Sequence, residues 1–353
     1  MEVLNSSSKR ILVIQTAFIG DAVLTLPFLQ KLKEENLNYL IDVVTTAKTA
    51  SLFVASASVN DVFILDKSHR HKSIFSLIKF AKELRKNNYS KVYTPHRSLR
   101  SALLTLFTNV RETYGFDNSE FPYVFKNLIG YKFNSHEIER LFAFLKDAEA
   151  YNFKSLKPEV TYSEDVKSKI PTIFNNFDST KIKIVFAPGT EWFTKQYPID
   201  QLIEVIQKCA NNNYDCILIG SENEKDLCDQ IVSKVGSNCI NFAGQLSIVE
   251  TICFLEKVNL LVTNDSAPTH FGMSADIPVL TIYCSTQPGF GFYPYNEKSC
   301  YVSYDELDCK PCGIHGHRSC PLSHFNCGKK MLPQMVYGKI QEMLNERVLK
   351  LQK

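Results

Sequence analysis

The chain has 353 residues, of which 44% are hydrophobic and 22% are charged, and its formal net charge is +3. This composition is typical of a globular protein, and the charge is too small to indicate nucleic acid as a partner. The length exceeds that of an ordinary single core, so we expect two domains.

The hydropathy pattern gives no sign of export or of a membrane span. The first nine residues are polar, the apolar run Ile11–Ile14 is too short for a signal peptide, and no stretch reaches the ~18 apolar residues of a spanning helix. Most of the eleven cysteines stand singly in apolar runs, as Cys209 and Cys253 do, which is typical of buried thiols in a reducing compartment. We therefore expect a cytoplasmic protein.

The N-terminal half alternates strands with helices. The apolar run Arg10–Gln15 predicts a buried strand, Thr16–Asp21 a turn, and Ala22–Lys33 a helix, because its apolar residues recur with a helical period. The other predicted elements are the strands Tyr39–Thr45, Asp61–Leu65, Lys91–Thr94 and Val110–Tyr114 and the helices Thr49–Ala55, Ser73–Asn87 and His136–Leu145. Such repeats predict a parallel sheet with right-handed crossovers.

A second series of the same kind follows a polar, proline-containing segment, Tyr151–Thr180, which we interpret as a linker with at most one short helix. The predicted strands are Lys183–Ala187, Asp215–Ile219, Ile240–Phe242, Leu260–Val262 and Pro278–Tyr283, and the helices are Ile199–Ala210, Glu224–Val232, Ser247–Glu256 and Met331–Leu349. The sequence thus predicts an α/β fold with domains at residues 1–165 and 180–353.

A candidate ligand site lies in Leu260–Pro288. The polar turn Thr263–Ala267 follows a strand, and Pro268 suits the start of a helix, so free backbone N–H groups would open at the ligand-binding end of a parallel sheet. Such groups attract phosphate. The alternative is that Asp265 or Ser266 merely caps the helix.

Two further groups follow strands of the first series. Asp21 comes directly after Gly20, which permits close backbone approach or a positive φ, and it is either a helix cap or a carboxylate directed at a ligand. His96, Arg97 and Arg100 follow the strand Lys91–Thr94; the cations suit an anionic group, and ordinary solvated surface charge is the alternative.

Five segments, in this order, resemble the motifs of glycosyltransferase family nine, the lipopolysaccharide heptosyltransferases. They are Gly20–Pro27, His96–Leu103, His136–Leu145, Pro188–Pro198 and Thr263–Pro288. The resemblance implies the GT-B architecture, in which two Rossmann-like domains face each other across a cleft. Residues 1–165 would bind the acceptor and residues 180–353 the nucleotide sugar, with the last helix, about 331–349, packing back on the N-terminal domain.

The activity that the resemblance implies is an inverting transfer of a sugar, heptose from ADP-heptose in the best-known members. The acceptor would be a lipopolysaccharide core or similar lipid-linked saccharide, at the cytoplasmic face of the inner membrane, and the family uses no cofactor or catalytic metal. Three alternatives remain open: a GT-B epimerase, a phosphorylase, and a nucleotide-sugar-binding regulator that has lost catalysis.

The resemblance also implies roles for individual residues. Asp21 would be the general base, and Lys195 would neutralise the leaving diphosphate. The donor-binding residues would be Gly20, Thr190, Lys195, Glu224, Asp265, Ser266, Ala267 and His270, and the acceptor-binding residues would be His96, Arg97 and Arg100.

Three departures from the family pattern concern the donor's identity. Ala267 stands where glycine is common, Tyr197 replaces a frequent tryptophan, and Cys284-Ser285 replaces a frequent Gly-Pro. A larger residue at position 267 narrows the approach of the backbone to a donor.

Four cysteines cluster near the C-terminus, at Cys309, Cys312, Cys320 and Cys327, with three histidines between them. A C-x-x-C pair with two further cysteines could supply four ligands to a structural metal such as zinc. Reduced thiols and disulfides are the alternatives, and the distance of the cluster from Asp21 in sequence argues against a catalytic role.

Overall fold

The computed structural model describes residues 9–175 and 177–351, and it divides into two compact units, one ending at Thr161 and the other beginning at Tyr162. The prediction about an N-terminal leader rests mainly on residues 1–8, which lie outside the described residues. Within the described chain, no helix combines the length and the apolar character needed to cross a membrane.

The first unit is a six-stranded parallel sheet flanked by helices. Its strands are β1 (Lys9–Ile14), β2 (Tyr39–Thr45), β3 (Asp61–Ile64), β4 (Tyr89–Thr94), β5 (Glu112–Phe116) and β6 (Asn127–Ile129). Its helices are α1 (Ile19–Glu35), α2 (Ala50–Val54), α3 (Ile74–Arg85), α4 (Leu99–Thr108) and α5 (Glu137–Phe142). The strand order, β3-β2-β1-β4-β5-β6, is that of a Rossmann fold.

The centre of this unit is β1, whose residues Ile11–Ile14 are wholly buried because both faces of a parallel sheet are covered by helices. Helix α1 buries nearly all of Ala22–Leu29 and begins at Ile19, three residues before the predicted start. Helix α4 and strand β6 were not predicted; β6 is only three residues long and lies at the sheet edge.

The second unit repeats this arrangement. Its strands are β7 (Lys183–Ala187), β8 (Asp215–Leu218), β9 (Cys239–Asn241), β10 (Leu260–Asn264), β11 (Val279–Tyr283) and β12 (Cys300–Ser303). Its helices are α6 (Glu164–Phe174), α7 (Ile199–Asn211), α8 (Lys225–Val235), α9 (Ile248–Leu255), α10 (Ala267–Ser274), α11 (Asn326–Lys329) and α12 (Pro333–Leu351). The order β12-β11-β10-β7-β8-β9 is the same Rossmann order, with all pairs parallel.

The segment that we interpreted as a linker contains a helix of eleven residues, α6, which is capped by Ser163. It packs against α9, and the rings of Phe174 and Phe254 stack with 4.8 Å between their centroids. This helix is therefore part of the second unit, so the boundary between the units lies at residues 161 and 162, within the polar segment and before the helix.

The last helix, α12, packs on α7 and β12. Its residues Val336, Ile340 and Leu344 are buried in the hydrophobic core of the second unit. The resemblance led us to expect this helix on the N-terminal domain; the core contacts that the structure describes for it lie within the second unit.

Candidate active site

Most of the predicted site residues follow the carboxyl ends of the central strands in each sheet, and Glu224 follows β8. In a Rossmann order, the crossovers leave the two central strands in opposite directions, and ligands bind in the crevice at this switch point. The central pairs are β1 with β4 and β7 with β10. Asp21 follows β1, His96 follows β4, Thr190 follows β7 and Asp265 follows β10.

In the second unit, Lys195 and Asp265 form an ion pair, with 2.7 Å between Nζ and Oδ2. Lys195 ends a 3-10 turn, Phe193–Lys195, and Asp265 comes directly after β10. The same Oδ2 accepts a hydrogen bond of 2.7 Å from the Thr286 hydroxyl. Both charged side chains are largely buried, and their electrostatic attraction is strong because the effective dielectric constant there is lower than in water.

His270 lies on α10 with its ring buried, and its Nδ1 makes no hydrogen bond within the described chain. Burial, together with the positive charge of Lys195, lowers the pKa of His270 to about 3. The imidazole is therefore neutral at physiological pH. A buried polar atom without a partner is unusual in a protein and marks a place where a polar ligand can bind.

The N-terminus of α10 has the geometry of the candidate phosphate site. Ser266 occupies the N-cap position, but its hydroxyl accepts no hydrogen bond from the helix and instead donates to the carbonyl of Asn264, at 3.3 Å. The helix begins at Ala267, with Pro268 in its first turn. Neither Asp265, which binds Lys195, nor Ser266 makes the capping bond that was the alternative interpretation.

Glu224 is the last residue of a 3-10 turn before α8, and its carboxylate packs against two glycines. Its Oε2 accepts hydrogen bonds from the backbone and hydroxyl of Ser221, at 2.6 and 2.7 Å. A Cβ on Gly189 would lie 1.6 Å from Oε1, and one on Gly220 would lie 3.0 Å from Oε2. These glycines make room for the carboxylate between the ends of β7 and β8. Thr190, next to Gly189, donates to the Trp192 carbonyl at 2.6 Å.

Asn264, the last residue of β10, was missed by the sequence analysis. Its side chain accepts from the backbone N–H of Tyr197 at 2.9 Å and donates to the carbonyl of Pro188 at 2.8 Å, so it holds both ends of the loop after β7. Tyr197, where the family often has tryptophan, is fully buried and donates its hydroxyl to the Met331 carbonyl at 2.7 Å.

In the first unit, Asp21 is the third residue of α1 and not its N-cap, which is Phe18. Helix α1 packs on α5, where Glu137 and Arg140 form a buried ion pair of 2.8 Å. Burial and the charge of Asp21 raise the pKa of Glu137 to about 7, although Arg140 opposes this shift. Asp21 is thus electrostatically coupled to a buried carboxyl group that the sequence analysis did not identify. Gly20 has helical backbone, not a positive φ.

His96 lies in a network of hydroxyl groups, 2.9 Å from Thr16 Oγ1 and 3.0 Å from Ser101 Oγ through its Nδ1. Burial and the neighbouring cations Lys67 and Arg97 lower the pKa of His96 to about 4, so it is neutral at physiological pH. Lys67 was not predicted as a site residue. Its Nζ donates to the Thr16 carbonyl at 2.6 Å, which brings a partly buried cation to this edge of the sheet.

The two predicted arginines have different surroundings. The guanidinium carbon of Arg97 lies 4.2 Å from the ring centroid of Tyr131, a cation–π contact. Arg100 donates to the backbone carbonyls of His71 at 2.5 Å and Lys72 at 3.1 Å. Arg100 therefore holds the loop after β3 in place, whereas Arg97 combines charge with an aromatic surface.

The clustered cysteines are thiols. All eleven cysteines lie in the described part of the chain, and none is in a disulfide. Cys309 Sγ lies 4.0 Å from His324 Nε2, and Cys320 Sγ accepts the backbone N–H of Phe325 at 3.4 Å. Among the described residues, no three Cys, His, Asp or Glu side chains are close enough together to hold a metal ion.

Comparisons with known proteins agree with this fold. The model of glycosyltransferase family 9 (heptosyltransferase) matches residues 77–322. Lipopolysaccharide heptosyltransferase 2 of Salmonella typhimurium is 23% identical over 301 residues, which cover 80% of this chain and 84% of that protein.

Two solved structures superpose over nearly the whole chain. Escherichia coli ADP-heptose lipopolysaccharide heptosyltransferase II has a TM-score of 0.77 at 21% identity, covering 96% of this chain and 99% of its own. A family 9 glycosyltransferase from Veillonella parvula has a TM-score of 0.84 at 20% identity, covering 98% and 100%. These likenesses confirm the predicted GT-B fold class. Because the family model matches more than half of the sequence, the chain belongs to glycosyltransferase family 9, the heptosyltransferases, and is a glycosyltransferase.

Proposed function

We propose that this enzyme transfers a heptosyl group from ADP-heptose to a hydroxyl group of a lipopolysaccharide core or similar lipid-linked saccharide, with inversion at the anomeric carbon. The observation that carries the proposal is the Lys195–Asp265 pair beside the unpartnered Nδ1 of His270, at the carboxyl end of β10. The donor and acceptor classes are those in the names of the Escherichia coli and Salmonella typhimurium relatives.

The second unit has the chemistry that an ADP-sugar requires. Lys195 provides a cation for the diphosphate, and the N-terminus of α10, at Ser266 and Ala267, provides backbone N–H groups. Glu224, held over Gly189, presents a carboxylate that accepts hydrogen bonds from ribose hydroxyls. Asp265 and His270 lie beside Lys195 and bind the transferred sugar. Thr190 binds the donor from the loop after β7, where its hydroxyl donates to the Trp192 carbonyl.

The first unit supplies the base. Asp21 accepts the proton of the acceptor hydroxyl, whose oxygen attacks the anomeric carbon as the bond from that carbon to the diphosphate oxygen breaks. ADP leaves with the bonding electron pair, and Lys195 stabilises the charge that develops on it. A single displacement from the opposite face inverts the configuration. Asp21 fits this role better than that of a cap, because Phe18 is the N-cap of α1.

The acceptor end of the first unit suits an anionic, lipid-linked molecule. Arg97 and Lys67 provide positive charge, while His96, which is neutral, and Arg100 shape the edge of the sheet around them. Phe75, in the first turn of α3, is 81% exposed and follows the basic segment 67–72. Basic residues next to an exposed aromatic ring favour peripheral contact with an anionic membrane surface, here the cytoplasmic face of the inner membrane.

Steady-state transfer by Asp21→Asn tests this function. Asparagine keeps the size of the side chain, so we expect unchanged folding, near-normal binding of ADP-heptose and a fall in kcat of about 10²–10⁴, the worth of a positioned general base. Thermal melts and donor titration are the controls. Transfer at the parent rate would exclude Asp21 as the base, and a parent enzyme that binds ADP-heptose but transfers no sugar would be the inactive regulator.

A further inference from the structure

The cysteine-rich loop is bonded to the turn that carries Lys195. Thr194, next to Lys195 and only 1% exposed, donates its backbone N–H to the His317 carbonyl at 3.1 Å. In return, the backbone N–H of His317 donates to the Thr194 hydroxyl oxygen at 2.8 Å. These two bonds join segments that are 123 residues apart in sequence.

The loop after β11 is hydrogen-bonded to the same two segments. Ser285, fully buried, donates its backbone N–H to the Thr194 carbonyl at 3.2 Å and its hydroxyl to Thr194 Oγ1 at 2.9 Å. Its own carbonyl accepts the backbone N–H of Cys312 at 2.9 Å. Within the loop, His317 Nε2 lies 2.8 Å from the Cys312 carbonyl oxygen, a distance that fits a hydrogen bond from the ring. Thr194 is thus fixed from two sides.

Gly316 packs directly on the stem of Lys195. Its φ is +77°, and a Cβ at this position would lie 2.9 Å from Lys195 Cγ and 3.1 Å from Thr194 Oγ1. Gly313, in the same loop, has a φ of +132°, and a Cβ there would meet no atom within 4 Å. Both positions disfavour a side chain because of their backbone conformation, but only Gly316 approaches the lysine.

We propose that Gly316 and His317 form a support for Lys195 and that Gly316 is the positioning residue that sets where the ammonium group lies. The loop contacts the aliphatic stem and the preceding threonine, and the ammonium group extends beyond them to Asp265. Because the loop contacts the aliphatic part of the Lys195 side chain, it fixes the ammonium group and leaves that group accessible to a diphosphate. The inference rests on the proposed function of Lys195, and it gives the cysteine-rich loop a task in donor binding.

The test is a double-mutant cycle on ADP affinity, measured by calorimetry with the full-length protein. The variants are Gly316→Ala, Lys195→Ala and the double variant, with Gly313→Ala as the control for backbone strain in the same loop. We expect Gly316→Ala to weaken ADP binding about tenfold when Lys195 is present and to have no effect when it is absent, because contacting residues are energetically coupled. Gly313→Ala should lower the melting temperature and leave ADP affinity unchanged.

Each other result overturns the inference. Wild-type affinity in Gly316→Ala, the same loss with and without Lys195, or an equal loss in Gly313→Ala would each show that the loop does not act through the lysine. Failure of the proposed function gives different results. Either the parent protein does not bind ADP, or the Lys195→Ala variant binds ADP normally. Both results would show that Lys195 does not bind the diphosphate, and the proposed support would then have no function in donor binding.

Discussion

Lys195 Nζ lies 2.7 Å from Asp265 Oδ2, so the lysine that we assign to the diphosphate already has a buried counter-charge. Thr286 holds the same carboxylate oxygen, which fixes Asp265 in this position. A diphosphate that binds Lys195 must therefore share the cation with Asp265. The pair keeps the cation compensated in the free protein, since an uncompensated buried charge is costly.

This sharing predicts opposite effects for the two partners. Lys195→Ala should weaken ADP binding by about 1.5–3 kcal/mol, the range for hydrogen bonds to charged groups. Asp265→Asn removes the competing carboxylate, so the variant should bind ADP at least as tightly as the parent while sugar transfer falls. Calorimetry with ADP, beside transfer assays, measures both effects. Equal weakening by the two substitutions would contradict the shared-cation arrangement.

Glu137 predicts a pH dependence of stability. Burial and the charge of Asp21 raise the pKa of Glu137 from its ordinary value of 4.5 to about 7. A carboxyl group with a raised pKa stabilises the folded state below pH 4.5 and loses that contribution as the pH rises through 7. Between pH 5 and pH 8, this loss amounts to about 2–3 kcal/mol of unfolding free energy.

Glu137→Gln tests this effect, because glutamine resembles the protonated side chain and does not titrate. We expect the variant to match the parent at pH 5, where Glu137 is protonated, and to be more stable than the parent by about 2–3 kcal/mol at pH 8, where only the parent buries an ionised carboxylate. Urea denaturation at the two pH values gives the numbers. Glu164→Gln is the matched control, since Glu164 is 89% exposed. A difference in stability between variant and parent that is the same at both pH values would show that Glu137 is ionised throughout.

A substitution at Gly189 tests whether the carboxylate of Glu224 binds the ribose. In Gly189→Ala, the new Cβ would lie 1.6 Å from Oε1, so the flexible end of Glu224 must move away from Ser221. If Glu224 binds the ribose, ADP binding should weaken while pyrophosphate binding does not, and calorimetry with the two ligands separates these outcomes. Gly338→Ala, where a Cβ meets no atom within 4 Å, is the control. Equal losses for both ligands would place Glu224 away from the ribose.

Tyr197→Phe should cost stability without affecting the donor site. The substitution removes the hydrogen bond to the Met331 carbonyl, which is then left buried without this donor, at a cost of about 1–2 kcal/mol. Denaturant midpoints measure the loss, and ADP affinity should stay at the parent value. Tyr123→Phe, at a ring that is 89% exposed, should change neither quantity. A variant as stable as the parent would show that the buried hydroxyl contributes nothing.

The strand–helix alternation predicted the fold because parallel strands are continuous apolar runs, and strands such as β2 and β7 have the predicted bounds. The predicted ends of helices and of the two units were wrong in places where a local sequence pattern does not determine them. Helix α1 begins at Ile19, and its N-cap, Phe18, makes no side-chain capping bond, so no cap residue in the sequence marked the start. Helix α6 is exposed on most of its length, and only its packing on α9 shows to which unit it belongs.

The sequence assigned Lys195 and Asp265 to one candidate site because each lies in a motif that follows a strand, and the structure brings the two side chains together. Residues that act through distant partners were not assigned in this way. Glu137 becomes notable only because α5 packs on α1, and Lys67 only because its amine reaches the carbonyl of Thr16, 51 residues away in sequence. Such relationships depend on crossover geometry, which a local pattern does not contain.

The identical strand order of the two sheets bears on how enzymes of this kind diversify. Each unit has its own switch point, built from loops that follow its own central strands, β1 and β4 in one sheet and β7 and β10 in the other. Changes such as Ala267, in the second unit, can therefore accumulate while the switch-point loops of the first unit stay the same.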